Sequence, residues 1–464
     1  MRICVIGLGK IGLPLAAYYA SRGYEVVGCD VNEQVVAAVN RGESPLAGEP
    51  GVAEALAQAV PQGRLRATRN TPAAVAGSQV VIVVVPLLIN PDKTSDYGPL
   101  EAACRAVAQG LRPGTLVCLE TTLAVGDTRG RLGRLLEASG LRKGEGFLLA
   151  YSPERVQVNR IFHDLTAYPK LVAGVNEAST RAAAEFYRGA LGAPVMELPD
   201  TETAEFVKLA ECVYRDVNIA LANELAMCAA ELGVDMPTVI QAANSEPLCF
   251  LHQPGIGVGG HCIPVYPYFL INQLPHVQLA ALARRVNDGM AAYVVHLLER
   301  ALGGLAERRV LVLGLGYRAD VKEATYSTTL LLARHLGERG ATCHVCDPLF
   351  APHEMEALGL RPASLEALPE VDALVLQAYH AQFRELDLGR LQGCRVVVDG
   401  RNALDRGRVE ALGMEYIGIG RPLPPSAAPE GYGARQGAPG ASALGGPAAG
   451  GRAGRLWPRG PEGG

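Results

Sequence analysis

The sequence predicts an α/β protein: two parallel-sheet domains joined by a central helical domain with one long spine helix. Three observations carry this. Short β-rich runs alternate with helical patterns from the N-terminus to about residue 195, the order that gives parallel strands with helices on the sheet faces. Residues 201–233 then run without a proline and keep a helical pattern throughout. At residue 309 the β/α alternation starts again.

In order, the first strands are expected at RICVI (2–6), EVVGC (25–29), QVVIVVV (79–85), TLVCLE (115–120) and GFLLAY (146–151), with helices such as 11–21 and 99–110 between them. Asp200 or Thr201 can cap the spine helix, Glu202 suits its first turn, and Gly233 suits its C-terminal end. A helix of this length suits a spine between two domains, or a dimer interface. The second series of strands is RRVLVLGLG (308–316), ATCHVCD (341–347), VDALVLQ (371–377) and CRVVVDG (394–400). From 421 on, Pro, Gly, Ala and Arg take over, a composition that cannot bury a core and predicts disorder. The expected domains are therefore 1–195, 196–304 and 305–420, followed by a tail over 421–464.

Composition narrows the function. The 464 residues, 49% hydrophobic, suffice for several cores. A net charge of −4 offers no basic surface for nucleic acid. Eleven cysteines, scattered and odd in number, suggest free thiols in a reducing compartment and hence a cytoplasmic protein. MRICVIG leads straight into a glycine turn and does not read as a signal peptide. The most apolar stretch, VVIVVVPLLI (80–89), is too short for membrane insertion and reads as a buried strand. Cys343 and Cys346 form a lone CxxC whose members point to opposite faces of a strand, so no metal site is expected.

GLGKIG follows the first strand and opens a helix. Gly7 permits the tight turn, Gly9 lets backbone N–H groups approach a pyrophosphate, and Gly12 lets the helix pack on the strand. Asp30, at the end of the next strand, can accept from ribose hydroxyls and repels a 2′-phosphate. This Rossmann-type arrangement predicts NAD. A second turn, GLGYRA (314–319), ends in Ala319, with Asp347 arriving late; it suits a nucleotide better than a full dinucleotide.

Cys262 follows the open segment GVGG and sits beside His261. A thiol reacts as the thiolate, which needs nearby positive charge. Lys208 on the spine helix is a candidate source and shares a face with Cys212 and Arg215. In YSPERV (151–156), Glu154 projects from the carboxyl end of a strand, where α/β proteins bind ligands and where a carboxylate can act as general base. Thr121 or Thr122 brings a hydroxyl to the same rim.

Together these motifs resemble the UDP-glucose/GDP-mannose dehydrogenases, more closely the bacterial branch acting on UDP-N-acetylhexosamines. The resemblance runs from residue 1 to about 420. It rests on GLGKIGLP (7–14), SPERV (152–156), KLAECVYRDVNIALANELA (208–226), PGIGVGGHCIPV (254–265), ARRVNDGM (283–290), GLGYRADV (314–321), CDP (346–348) and VDGRN (398–402). It implies an NAD-binding Rossmann domain, a central domain that forms a homodimer, and a C-terminal Rossmann-like domain holding the nucleotide sugar. It also implies oxidation of the sugar C6 alcohol to a uronate with two NAD, through a thiohemiacetal and a thioester on Cys262, for polysaccharide precursors. Lys208 would stabilise the oxyanion, Glu154 would be the base for hydrolysis, and Thr122 would orient water. Cofactor contacts would come from Gly7, Gly9, Lys10, Ile11, Gly12, Asp30 and Thr122, and substrate contacts from Lys208, Gly259, Gly260 and Arg318.

Several positions depart from the family pattern. Cys212 replaces an Asn and Tyr266 an Asp; Glu246 and Leu248 stand for His and Arg; Thr325 replaces an Arg; PLL (86–88) replaces Pro-Thr-Pro. An active branch with an altered substrate fits this pattern, and so does a nucleotide-sugar-binding relative that has lost its chemistry. Retention of Cys262, Lys208, Glu154 and Thr122 together favours activity. A two-electron hydroxyacid-type dehydrogenase shares the plan but needs neither Cys262 nor the second α/β domain.

Overall fold

The structure, a computed structural model, describes residues 1–46 and 48–427. The expected disordered tail lies outside the described residues from 428 on; Leu423 and Ala427 before it are buried. Among the described residues the first sheet has eight strands, in the order Val195–Glu197, Lys170–Gly174, Leu148–Tyr151, Leu116–Leu119, Val80–Val83, Arg2–Ile6, Glu25–Cys29, Leu65–Thr68. The last six are mutually parallel, and the order in which strands are added switches sides at Arg2–Ile6, which makes the crevice above that point the ligand side. Lys170–Gly174 runs antiparallel to Leu148–Tyr151, so two edge strands oppose the rest. The sequence reading did not include these two or Leu65–Thr68; Val195–Glu197 and Leu65–Thr68 are short, and Lys170–Gly174 opens on a charged residue.

The second sheet orders Arg361–Pro362, Thr342–Cys346, Arg309–Leu313, Ala373–Leu376, Val396–Asp399, Glu415–Gly418, all parallel. Strands expected at 2–6 and 25–29 match in extent, because fully apolar runs bounded by turns leave little latitude.

The spine helix is Thr201–Leu232. Asp200 caps it by accepting from Thr203 N, and Gly233 ends it in the left-handed conformation. Its first half packs through Ala204 and Leu209 into the core under the first sheet, with Leu119, Tyr151 and Phe269. Its second half packs through Ala226 and Ala230 with Met290 and Val294 of the second long helix and with Val310 and Val375 of the second α/β domain. One rigid rod is thus shared by both α/β domains. Tyr214, Leu221, Leu225 and Leu232 stay exposed and fall on one stripe of it.

Buried polar groups fix the rod to the second long helix, Leu279–Leu302, and to the thiol loop. Arg284 reaches Asp216 at 3.2 Å and donates to the Ile263 carbonyl. Asn287 donates to Asp216 at 2.7 Å, Asn223 donates to Asn287, and Gly255 N–H donates to Asn223. The motifs RDVNIALAN and ARRVNDGM therefore hold both ends of residues 255–263. No helix among the described residues is long and apolar enough to cross a membrane.

Candidate active site

The dinucleotide turn is built as its glycines require. Gly7 has φ +91°, and a Cβ on Gly12 would lie 1.8 Å from the Gly7 carbonyl, so the helix start must rest on the turn. A Cβ on Gly9 would meet nothing within 4 Å: this is the open side. Asp30 accepts from Leu8 N–H at 2.8 Å and stands at the rim. Ile11 packs against the core below. Lys10 turns its ammonium across to Glu323 of the second domain. Between the two domains lies a cleft of 590 Å³ lined by Lys10, Glu49 and Val158 on one wall and Lys322, Glu323, Thr325 and Phe350 on the other. The open side at Gly9, an acid at the rim and an adjoining cleft fit a dinucleotide.

In the second domain the late acid has another use. Asp347 accepts from Leu315 and Gly316 N–H and from His380 Nε2, so it closes its own glycine turn rather than facing a ribose. Arg318 donates to the Val158 carbonyl at 2.8 Å, while its buried Nε has no hydrogen-bond partner.

Cys262 is half-buried, next to His261, whose Nδ1 lies 3.7 Å from the cleft residue Glu323. Burial pushes its thiol up, but His261, through a hydrogen bond and its charge, then Lys208 and the Tyr266 hydroxyl, outweigh burial and hold it below its ordinary value. His261 is raised, first by its contact with Cys262. The preceding glycines serve packing: a Cβ on Gly259 would lie 2.7 Å from the Tyr317 side chain, Gly260 also faces that ring, and one on Gly257 would lie 2.5 Å from the Asn287 carbonyl.

Lys208 donates to the Glu154 carbonyl at 2.5 Å, which aims the ammonium at the strand ends. Cys212 is buried, and burial pushes it up to about 11, so it stays a neutral thiol. Arg215, expected on the same face, is exposed. Thr122 is buried and meets the Tyr266 hydroxyl, whose burial keeps the phenol protonated. Tyr266 thus brings a neutral donor to the thiol where the resemblance leads one to expect a carboxylate. Its backbone N–H also donates to the Cys262 carbonyl at 2.9 Å.

The Glu154 carboxylate does not stand free. Lys170 donates to it at 2.9 Å and to Glu120 at 2.8 Å, and the Tyr187 hydroxyl donates to Glu120. Burial raises both carboxyls, but Lys170 leads the groups that bring Glu154 back below its ordinary value, while Glu120 remains up at about 7. Sequence reasoning missed Lys170, Glu120 and Glu323. The available signal for Lys170 was a lysine heading the apolar run KLVAG, which only burial and pairing reconcile.

A turn built to take a dinucleotide, linked through Lys10 and Glu323 to His261 beside a lowered thiol, fits a nucleotide-dependent dehydrogenase. The chain belongs to the UDP-glucose/GDP-mannose dehydrogenase family. That family's NAD binding domain matches residues 1–190, its central domain 202–289 and its UDP binding domain 311–406. The UDP-N-acetyl-D-mannosamine dehydrogenase of Pyrococcus horikoshii is 36% identical over 432 residues, covering 91% of this chain and 99% of that protein. The NDP-N-acetyl-D-galactosaminuronic acid dehydrogenase of Ralstonia nicotianae is 36% identical over 420 residues, covering 88% and 97%. Among solved structures, the Pyrococcus horikoshii UDP-D-ManNAc dehydrogenase superposes with a TM-score of 0.83 at 35% identity, covering 91% of this chain and 99% of that one. A UDP-glucose dehydrogenase from Pyrobaculum islandicum gives 0.81 at 30% identity, covering 90% and 98%. The protein is an NAD-dependent nucleotide-sugar dehydrogenase.

Proposed function

We propose that the protein oxidises the C6 alcohol of a UDP-N-acetylhexosamine to the uronate in two two-electron stages, holding the sugar on Cys262 between them. The observation that carries this is the lowered Cys262 thiol, set against burial by His261, Lys208 and Tyr266. Relatives named for N-acetylmannosamine and N-acetylgalactosaminuronic acid nucleotides support the sugar class.

Bound NAD supplies a hydride acceptor for each stage. In the first, C6 loses a hydride and its hydroxyl loses a proton, giving the aldehyde. The Cys262 thiolate adds to that carbon, and Lys208 and the Tyr266 hydroxyl offer donors to the resulting oxygen. The thiohemiacetal then loses its hydroxyl proton and a second hydride to become a thioester. Water attacks, the C–S bond breaks, Cys262 leaves as thiolate, and the uronate departs. Glu154, kept ionised by Lys170, takes the water's proton with Glu120 behind it, and Thr122 orients that water. Asp30 and the turn Gly7–Gly12 hold the dinucleotide; Gly259, Gly260 and Arg318 border the nucleotide sugar. The exposed stripe on the spine helix supports a homodimer, which sedimentation would show as twice the chain mass and contradict with a monomer mass.

The test is NADH formation with UDP-N-acetylmannosamine, UDP-N-acetylglucosamine, UDP-N-acetylgalactosamine and UDP-glucose, with the product identified by mass. A uronate from an acetamido sugar, at a kcat/KM about tenfold or more above UDP-glucose, is expected. Binding of these ligands without NADH would return the protein to a binding role.

A further inference from the structure

Three parts of the chain meet on one carboxylate. Glu323, 5% exposed, pairs through Oε2 with the Lys10 ammonium of the dinucleotide turn. The same oxygen lies 3.7 Å from Nδ1 of His261, the neighbour of Cys262. Its other oxygen accepts from Thr325 N–H at 3.0 Å. The segment carrying it is fixed to the thiol loop: Gly260 N–H donates to the Thr325 carbonyl at 2.9 Å, and Tyr317 N–H donates to the Glu323 carbonyl at 3.1 Å. Glu323 therefore cannot follow Lys10 away without disturbing the loop that carries Cys262.

We propose that Glu323 is a positioning residue that reports occupancy of the dinucleotide turn to the nucleophile: its carboxylate is shared between Lys10 and His261, and passes to His261 when Lys10 is drawn toward a bound pyrophosphate. The inference rests on Cys262 being the nucleophile. Lys10 is the mobile partner, since its side chain is 44% exposed against 5% for Glu323 and it sits on the turn where an anion arrives. The charges set the direction. His261 faces Cys262, Glu323 and Lys10; the first two favour its protonated form and Lys10 opposes it. Cys262 faces His261, Lys208 and Tyr266, with Cys212 and Tyr317 nearby. Moving Lys10 off Glu323 removes the opposing cation and gives His261 an undivided counter-ion, which favours the imidazolium and so the thiolate. The thiol is thereby readied when a hydride acceptor is present to use it.

The pH midpoint of Cys262 alkylation by iodoacetamide, read by peptide mass spectrometry across about pH 5.5–9, tests this without turnover. The midpoint is used rather than the rate because NAD also shields the thiol. In the wild-type protein, saturating NAD is expected to lower the midpoint by about half a unit or more. Glu323→Gln should raise the midpoint without NAD and abolish the NAD shift, while Glu323→Asp should retain part of it. Lys10→Met should lower the NAD-free midpoint; it carries the test if Glu323→Gln does not fold. A Glu323→Gln protein that binds NAD and keeps the wild-type midpoint and shift overturns the coupling. If Cys262 shows no lowered midpoint in any form of the protein, the reading of Cys262 as nucleophile fails, and the proposal with it.

Discussion

Cys262→Ser is expected to lower uronate formation by about 10⁴–10⁶ while NAD still binds. The geometry makes the prediction asymmetric. The dinucleotide turn is held by Gly7, Gly12 and Asp30, none of which touches the thiol loop, so cofactor affinity should survive. What is lost is the one atom whose ionisation His261, Lys208 and Tyr266 are arranged to favour. A serine hydroxyl cannot be ionised there by the same neighbours, and it leaves poorly from an acyl intermediate. Stopped-flow NADH formation and a fluorescence titration with NAD separate the two effects. Uronate formation within about tenfold of wild type would remove the covalent step from the account.

The second large effect is on stability. Lys170→Met strands Glu120 and Glu154 in the interior, since Lys170 is the cation bonded to both and all three side chains are nearly inaccessible. Breaking a buried pair from one side costs about 3–5 kcal/mol. Its pH dependence follows from the two carboxyls. Glu120 is raised to about 7 when folded, so its contribution is full below the unfolded value and is lost as pH rises through about 7. Glu154 is lowered, so its contribution is present above the unfolded value and is lost as pH falls through its folded value. Without Lys170 both carboxyls move up, and the variant should regain stability in mild acid, where they accept protons. Denaturant unfolding at neutral and mildly acid pH measures this. A loss below about 1 kcal/mol, or one equal at both pH values, would show that the triad is not a closed charge unit.

Much of this was legible in the sequence because it is local. A strand, a glycine turn and an acid in fixed order specify a dinucleotide site within 30 residues, and the spine helix declared itself by its caps and its lack of proline. The rest depends on chain reversals that no local pattern encodes. Lys170 meets Glu120 because an edge strand runs against its neighbour, and Glu323 meets Lys10 across 313 positions. Asp347 looked like a late ribose acid, yet its partners are the turn's own N–H groups and His380, a residue with no motif around it. From sequence alone Tyr266 read as a departure from the family pattern, where an Asp is expected. In the structure its hydroxyl meets Thr122 and Cys262, which makes it a donor within the site. The glycines of GVGG also have a packing role that no local pattern encodes: Tyr317 and the Asn287 carbonyl occupy the space that side chains there would need.

The central claim is that one cysteine holds one sugar through two oxidations. The most direct measurement is the ratio of NADH formed to nucleotide sugar consumed at completion, with the acetamido sugar that the substrate panel selects. The account predicts two NADH per sugar, with uronate as the product and no free aldehyde trapped by hydroxylamine. A ratio of one, with an aldehyde oxime recovered, would contradict it.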